Sequence, residues 1–251
     1  MEIAHHMILT GCSEPGSTEE VWSCGDMASK ELGKDLASPC SKNSQIMYAW
    51  AKDAPKLITL TIREYFCTIQ RQNLPKVAGV LLMGTGGRIL PHSIEYMETA
   101  CTINENIVIH PFAFRTHTHS LGRVVSGYKI EMKDREAVWT LLGKKDPQLP
   151  QMFYNIPEDM TLSKGDLIAA RCTMESNRDR VTRIGSTAND EMCNFYIMYW
   201  KEDKATNAEI PKHCFSMGPP YFYWETIGLK NIPEDASTLP VEERANEINS
   251  F

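Results

Sequence analysis

In the run Arg115-Thr116-His117-Thr118-His119, two imidazoles stand one residue apart and a guanidinium precedes them at the same spacing. On a β-strand, side chains two residues apart leave the same face, so Arg115, His117 and His119 share a side. Phe112 and Phe114 alternate with Ala113, Arg115, His117 and His119, which predicts a strand there. Two imidazoles on one face can reach one metal ion, and a neighbouring guanidinium can grip a carboxylate. Together they point to an enzyme for an anionic substrate. The plain alternative is an exposed polar face, and a third donor decides between the two. Met192 is the candidate, at the head of Met192-Cys193-Asn194-Phe195-Tyr196-Ile197-Met198. The chain has 13 methionines, most of them expected as core filler. A thioether joined to two imidazoles would favour copper, above all reduced copper, over zinc.

The same alternation places Met192, Asn194 and Tyr196 on one face and Cys193, Phe195 and Ile197 on the other. If this strand lies beside the histidine strand, one pocket collects two His, a Met, an Arg, an Asn and a Tyr. That pairing is an assumption of the sequence reading. His5 and His6 are adjacent, so a regular strand sends them to opposite faces, and only a bulge or twist would let them share a metal. His92, His110 and His213 stand alone and read as structural. A Ser-His-Asp order, a Gly-x-Ser-x-Gly elbow and a His-Glu-x-x-His helix are all absent from the sequence, which leaves hydrolase chemistry little support.

The elements that must position these residues are short and strand-like: Ile46-Met47-Tyr48-Ala49-Trp50, residues 77–83, Ile107-Val108-Ile109, residues 167–172 and residues 194–200. Each is bounded by Gly, Pro, Asn, Asp or Ser, the pattern of an all-β sandwich. Gly84-Thr85-Gly86-Gly87 predicts a hairpin turn, since it lacks the Lys and following helix of a phosphate loop. Residues 62–72 could form a helical turn or two. The tail after Pro233 is acidic and Pro-punctuated and is expected to be disordered.

The 251 residues carry a net charge of −6 and no basic stripe, which disfavours a nucleic-acid partner. No apolar run in the sequence is long enough for a membrane-spanning helix. No signal peptide is visible, and the opening residues read as the middle of a strand, so the chain is expected to start inside a larger domain. Eight cysteines, at 12, 24, 40, 67, 101, 172, 193 and 214, show no Cys-x-x-Cys spacing. They fit the disulfides of an exported protein better than a zinc site, although no glycosylation sequon supports export.

Several strings resemble peptidylglycine α-hydroxylating monooxygenase, of the copper type II, ascorbate-dependent family. They are residues 5–12 with Tyr48-Ala49-Trp50-Ala51, residues 110–119 and 121–128, Asp146-Pro147-Gln148-Leu149-Pro150-Gln151, Ala169-Ala170-Arg171-Cys172 and Asp190-Glu191-Met192-Cys193-Asn194. The resemblance implies an all-β protein of two jelly-roll-like sandwiches across a cleft, each with one copper. It implies an N-terminal domain over 1–100, incomplete here, a C-terminal domain over 101–232 and a tail over 233–251. His117, His119 and Met192 would hold the copper that meets O₂. Arg115, Asn194 and Tyr196 would anchor the peptide, and His5 and His6 would be two of the three ligands of an electron-donating copper. The implied disulfides are Cys12–Cys40, Cys101–Cys214 and Cys172–Cys193. The implied reaction hydroxylates the α-carbon of a C-terminal glycine in a glycine-extended peptide, with ascorbate as reductant, in the secretory pathway.

The chain departs from the family between Lys56 and Pro75, where strands including the one bearing the third histidine of the first site have no match. An upstream segment with the expected partner of Cys24 is also missing, and Cys67 has no counterpart; a Cys24–Cys67 bridge is conceivable. A two-histidine site should bind copper weakly. Two rival readings follow: a catalytically silent copper- or peptide-binding remnant, and a dopamine β-hydroxylase-like monooxygenase, which Arg115 opposes because it would repel a cationic amine.

Overall fold

The structure is a computed structural model that describes residues 6–22, 37–42, 45–51, 76–134, 136–157, 159–202 and 212–239. His5, Cys24, Cys67 and the 62–72 segment lie outside the described residues, and for His6 only the backbone is described. The chain divides into two units, Met1–Lys56 and Leu57–Phe251. Among the described residues the first unit holds two small antiparallel pairs. β1 (His6–Gly11) pairs β4 (Gln45–Ala51), with His6 opposite Ala51, and β2 (Glu14–Pro15) pairs β3 (Cys40–Lys42). The Cys12–Cys40 disulfide closes the second pair.

The second unit is a two-layer β-sandwich. One sheet runs β10 (Glu136–Lys145), β9 (Gly122–Lys133), β13 (Leu167–Glu175), β7 (Ile94–Thr102). The other runs β11 (Tyr154–Asn155), β8 (Val108–Thr118), β15 (Cys193–Glu202), β5 (Lys76–Thr85), β16 (His213–Ser216), with β12 (Leu162–Ser163) also on β8. The alternation predicted from sequence sorts these strands. Leu81, Met83, Phe114, Phe195 and Ile197 meet Met97, Val125, Leu142, Ile168, Ala170 and Met174 in one core between the sheets. Burial of this apolar surface is the main stabilising term for such a domain. Two disulfides cross the layers: Cys172 on β13 bonds Cys193 on β15, and Cys101 on β7 bonds Cys214 on β16. Glycine opens space at two points of the core. A Cβ at Gly127 would strike the ring of Phe195, and one at Gly143 the ring of Phe114. Those two rings stack at 5.6 Å.

Four sequence expectations change. The boundary expected at 100/101 does not hold, because β5 and β7 supply strands to both sheets of the second sandwich. Gly84 to Gly87 is not a hairpin turn: β6 (Arg88–Ile89) pairs β14 (Thr182–Arg183) instead of β5, and Gly86 N–H donates to Ser216. Residues 107–109 and 112–119 do not form separate elements but merge in β8, which passes through Pro111. A register shift sits there: Met198 faces Ala113 while Tyr199 faces Pro111, so Phe112 is the extra residue of a bulge. Finally, residues 233–239 of the expected disordered tail pack against the domain. A short 3-10 turn, Glu234–Ser237, buries Ala236 completely, and Ala236 O accepts from Ser126 Oγ. With Trp224, buried against Tyr128 and Trp139, this strap covers the outer face of the four-stranded sheet.

Candidate metal centre

The pairing that the sequence reading assumed is present, for β8 and β15 are antiparallel neighbours. Tyr196 lies opposite Arg115 and Asn194 opposite His117. Since Phe114, Phe195 and Ile197 fill the core, Arg115, His117, Asn194 and Tyr196 leave the opposite face of the sheet. Met192, one residue before β15, and His119, one residue after β8, continue that face. His117 Nε2 lies 3.3 Å from Met192 Sδ, and the two imidazoles are 5.5 Å apart, nearly perpendicular. All three side chains are buried.

A metal fits this donor set. Bonds of about 2.0 Å to nitrogen and 2.3 Å to sulfur at a tetrahedral angle put the two donors about 3.5 Å apart, close to the observed separation. Tautomers agree as well. The Gln151 amide nitrogen donates to Thr118 O at 3.0 Å and Pro147 O at 2.8 Å, which turns its oxygen toward His117 Nδ1 at 2.5 Å. His119 Nδ1 meets Asp190 O at 3.1 Å. Both Nδ1 atoms face acceptors and so carry the proton, which puts the lone pairs on Nε2, a standard arrangement for ligating histidine. Among the described residues no three His, Cys, Asp or Glu side chains cluster for a metal, so beside the two imidazoles the donor on hand for a metal would be the thioether. That softness suits copper.

The substrate-facing candidates adjoin this set. Arg115 is buried, and its Nε donates to Gln151 O at 2.8 Å. Its guanidinium sits 5.2 Å from the Tyr196 ring centre. Asn194 Nδ2 donates to Tyr196 Oη at 3.4 Å. Burial pushes the Tyr196 phenol above its ordinary range, opposed by the Arg115 charge and the Asn194 hydrogen bond. The phenol therefore remains a donor at neutral pH.

Sequence reasoning missed two residues here. Gln151 ends the segment Asp146-Pro147-Gln148-Leu149-Pro150-Gln151; this Pro-rich loop folds over β8, and no periodicity reports that. Glu191 likewise stood beside Met192 unremarked.

Residues 76–227 match the family model for the copper type II ascorbate-dependent monooxygenase C-terminal domain. The chain belongs to that family. It is 35% identical over 269 positions to peptidyl-glycine alpha-amidating monooxygenase A of Xenopus laevis, covering 93% of this chain and 27% of the relative. It is 33% identical over 283 positions to the peptidyl-glycine alpha-amidating monooxygenase of Mus musculus, covering 99% and 26%. A match to DBH-like monooxygenase protein 1 of Gallus gallus is 25% identical over 149 positions, covering 59% and 23%. The chain thus spans about a quarter of the length of the curated relatives it matches. Both amidating-enzyme alignments are longer than the 251-residue chain, so these relatives carry positions within the matched stretch that it lacks.

Proposed function

We propose that the second unit is the oxygen-activating half of a copper- and ascorbate-dependent monooxygenase that hydroxylates the α-carbon of a C-terminal glycine in glycine-extended peptides. The observation that carries this reading is the approach of His117 Nε2 to Met192 Sδ on the same sheet face as Arg115, Asn194 and Tyr196. Copper held by His117, His119 and Met192 would supply one-electron redox and oxygen chemistry. The protein's own part is positioning. A guanidinium has several N–H donors, so it can bond Gln151, which fixes its plane, and a substrate carboxylate together. The Tyr196 phenol and Asn194 amide add neutral donors beside it. A carboxylate fastened there turns the adjoining α-carbon toward the imidazoles, and such orientation lowers the barrier. In the net reaction, one atom of O₂ enters the C–H bond, and the other leaves as water with two electrons from ascorbate and two protons.

His5 and His6 are proposed as two ligands of a second, electron-donating copper. Three disulfides support passage through the secretory pathway, where such bonds persist. A silent copper- or peptide-binding domain is the second reading, favoured by the positions that the relatives carry and this chain lacks.

The test is oxygen uptake and product analysis with copper and ascorbate, offering a glycine-extended peptide, its amide and a phenethylamine. Hydroxylation of the first alone, abolished in Met192→Ala, is expected. Turnover of the amine in preference to the peptide would overturn the substrate assignment. One tightly held copper per chain without turnover would establish the silent reading.

A further inference from the structure

Glu191 is fully buried, and among the described residues no cation pairs with it. Its two oxygens instead take main-chain donors. Oε1 accepts from the N–H of His119 and, at 2.8 Å, from the N–H of Met192; Oε2 accepts from the N–H of Leu121 at 2.8 Å. These residues lie just outside the ladder between β8 and β15, whose register ends at Thr118 opposite Cys193. Buried amides beyond a ladder need another acceptor, and a carboxylate provides strong, charge-assisted ones. The adjoining Asp190 carbonyl accepts from the His119 ring. Two of the three metal donors thus hang from one side chain after their strands have stopped holding them.

Burying a carboxylate is costly unless it is fully hydrogen-bonded, and closing a loop does not in itself require that charge. We infer that Glu191 is a positioning residue of the metal centre, setting the distance between the His119 and Met192 donors by binding both backbones at once. The inference rests on the copper reading above. With Glu191→Gln, a single oxygen can bridge the His119 and Met192 donors only by setting the NH₂ against the Leu121 N–H, and turned the other way it sets the NH₂ against both of them; either donor–donor contact displaces the side chain from the segments it joins. With Glu191→Asp, both acceptor oxygens are kept but stand one methylene short.

The test loads the full chain with Cu(I) and records copper–sulfur scattering by X-ray absorption, with Met192→Ala as the zero. Cu(I) affinity comes from competition with a chelator, and folding from thermal unfolding of each variant. Glu191→Gln is expected to fold, lose the copper–sulfur signal and bind Cu(I) about 10–100-fold more weakly, the usual effect of removing an outer partner of a ligand. Glu191→Asp should recover part of both. A folded Glu191→Gln with unchanged signal and affinity overturns the inference. So does loss of folding in both variants, which would make the carboxylate a general folding element. Absence of the signal from the unaltered chain would instead sink the copper reading, and the inference with it.

Discussion

At the scale of single residues the site is a set of paired commitments. Arg115 binds Gln151 O through Nε and stacks near Tyr196, so it serves the loop as well as a substrate. Arg115→Ala should mainly raise the peptide concentration needed for turnover, by removing charge-assisted bonds to a carboxylate. Steady-state kinetics check this, and an equal effect on a peptide amide would refute the carboxylate role. Gln151 fixes the tautomer of His117 through three bonds. Gln151→Ala is expected to lower copper affinity by about 10–100-fold, read as copper retained on dialysis against a chelator. Met192 was legible from sequence because alternation from Tyr196 and Asn194 reaches it. Glu191 was not, since its role depends on where two ladders stop, and strand ends are the least regular part of a periodic pattern.

At the scale of elements, face assignments along β8 and β15 followed from period-two alternation, and the structure pairs them in the register that alternation needs. Less legible was membership. β5 and β7 were expected in another domain because sequence order carries no record of which sheet a strand joins. Two layers are stapled by Cys172–Cys193, whose second cysteine follows Met192 directly. Replacing both cysteines with serine should cost about 3 kcal/mol, the loop-closure value for a span of this length. It should also loosen the thioether. Thermal unfolding and copper–sulfur scattering measure the two effects separately, and unchanged values in both would show the staple to be dispensable.

At the scale of the whole molecule, the all-β class was legible in the chain, since short apolar runs bounded by turn residues leave few other architectures. The strap over the four-stranded sheet was not: its acidic, Pro-punctuated composition resembles a disordered tail, yet Ala236 within it and Trp224 just before it are completely buried against the sheet. Trp224→Ala should destabilise the domain by about 3–5 kcal/mol, the cost of emptying an aromatic site, seen as a lower unfolding midpoint in denaturant. An exposed-tail value near zero would contradict the packing. One last consequence concerns the bulge at Phe112. A strand that already accommodates one surplus residue can accommodate a change of length on its far side by sliding the irregularity, so insertions before Pro111 need not reach the chemistry. Past it there is no such slack. A single residue added between Ala113 and His117 would rotate both imidazoles into the hydrocarbon interior, and for that reason the tolerance of this fold to indels should change abruptly at one proline.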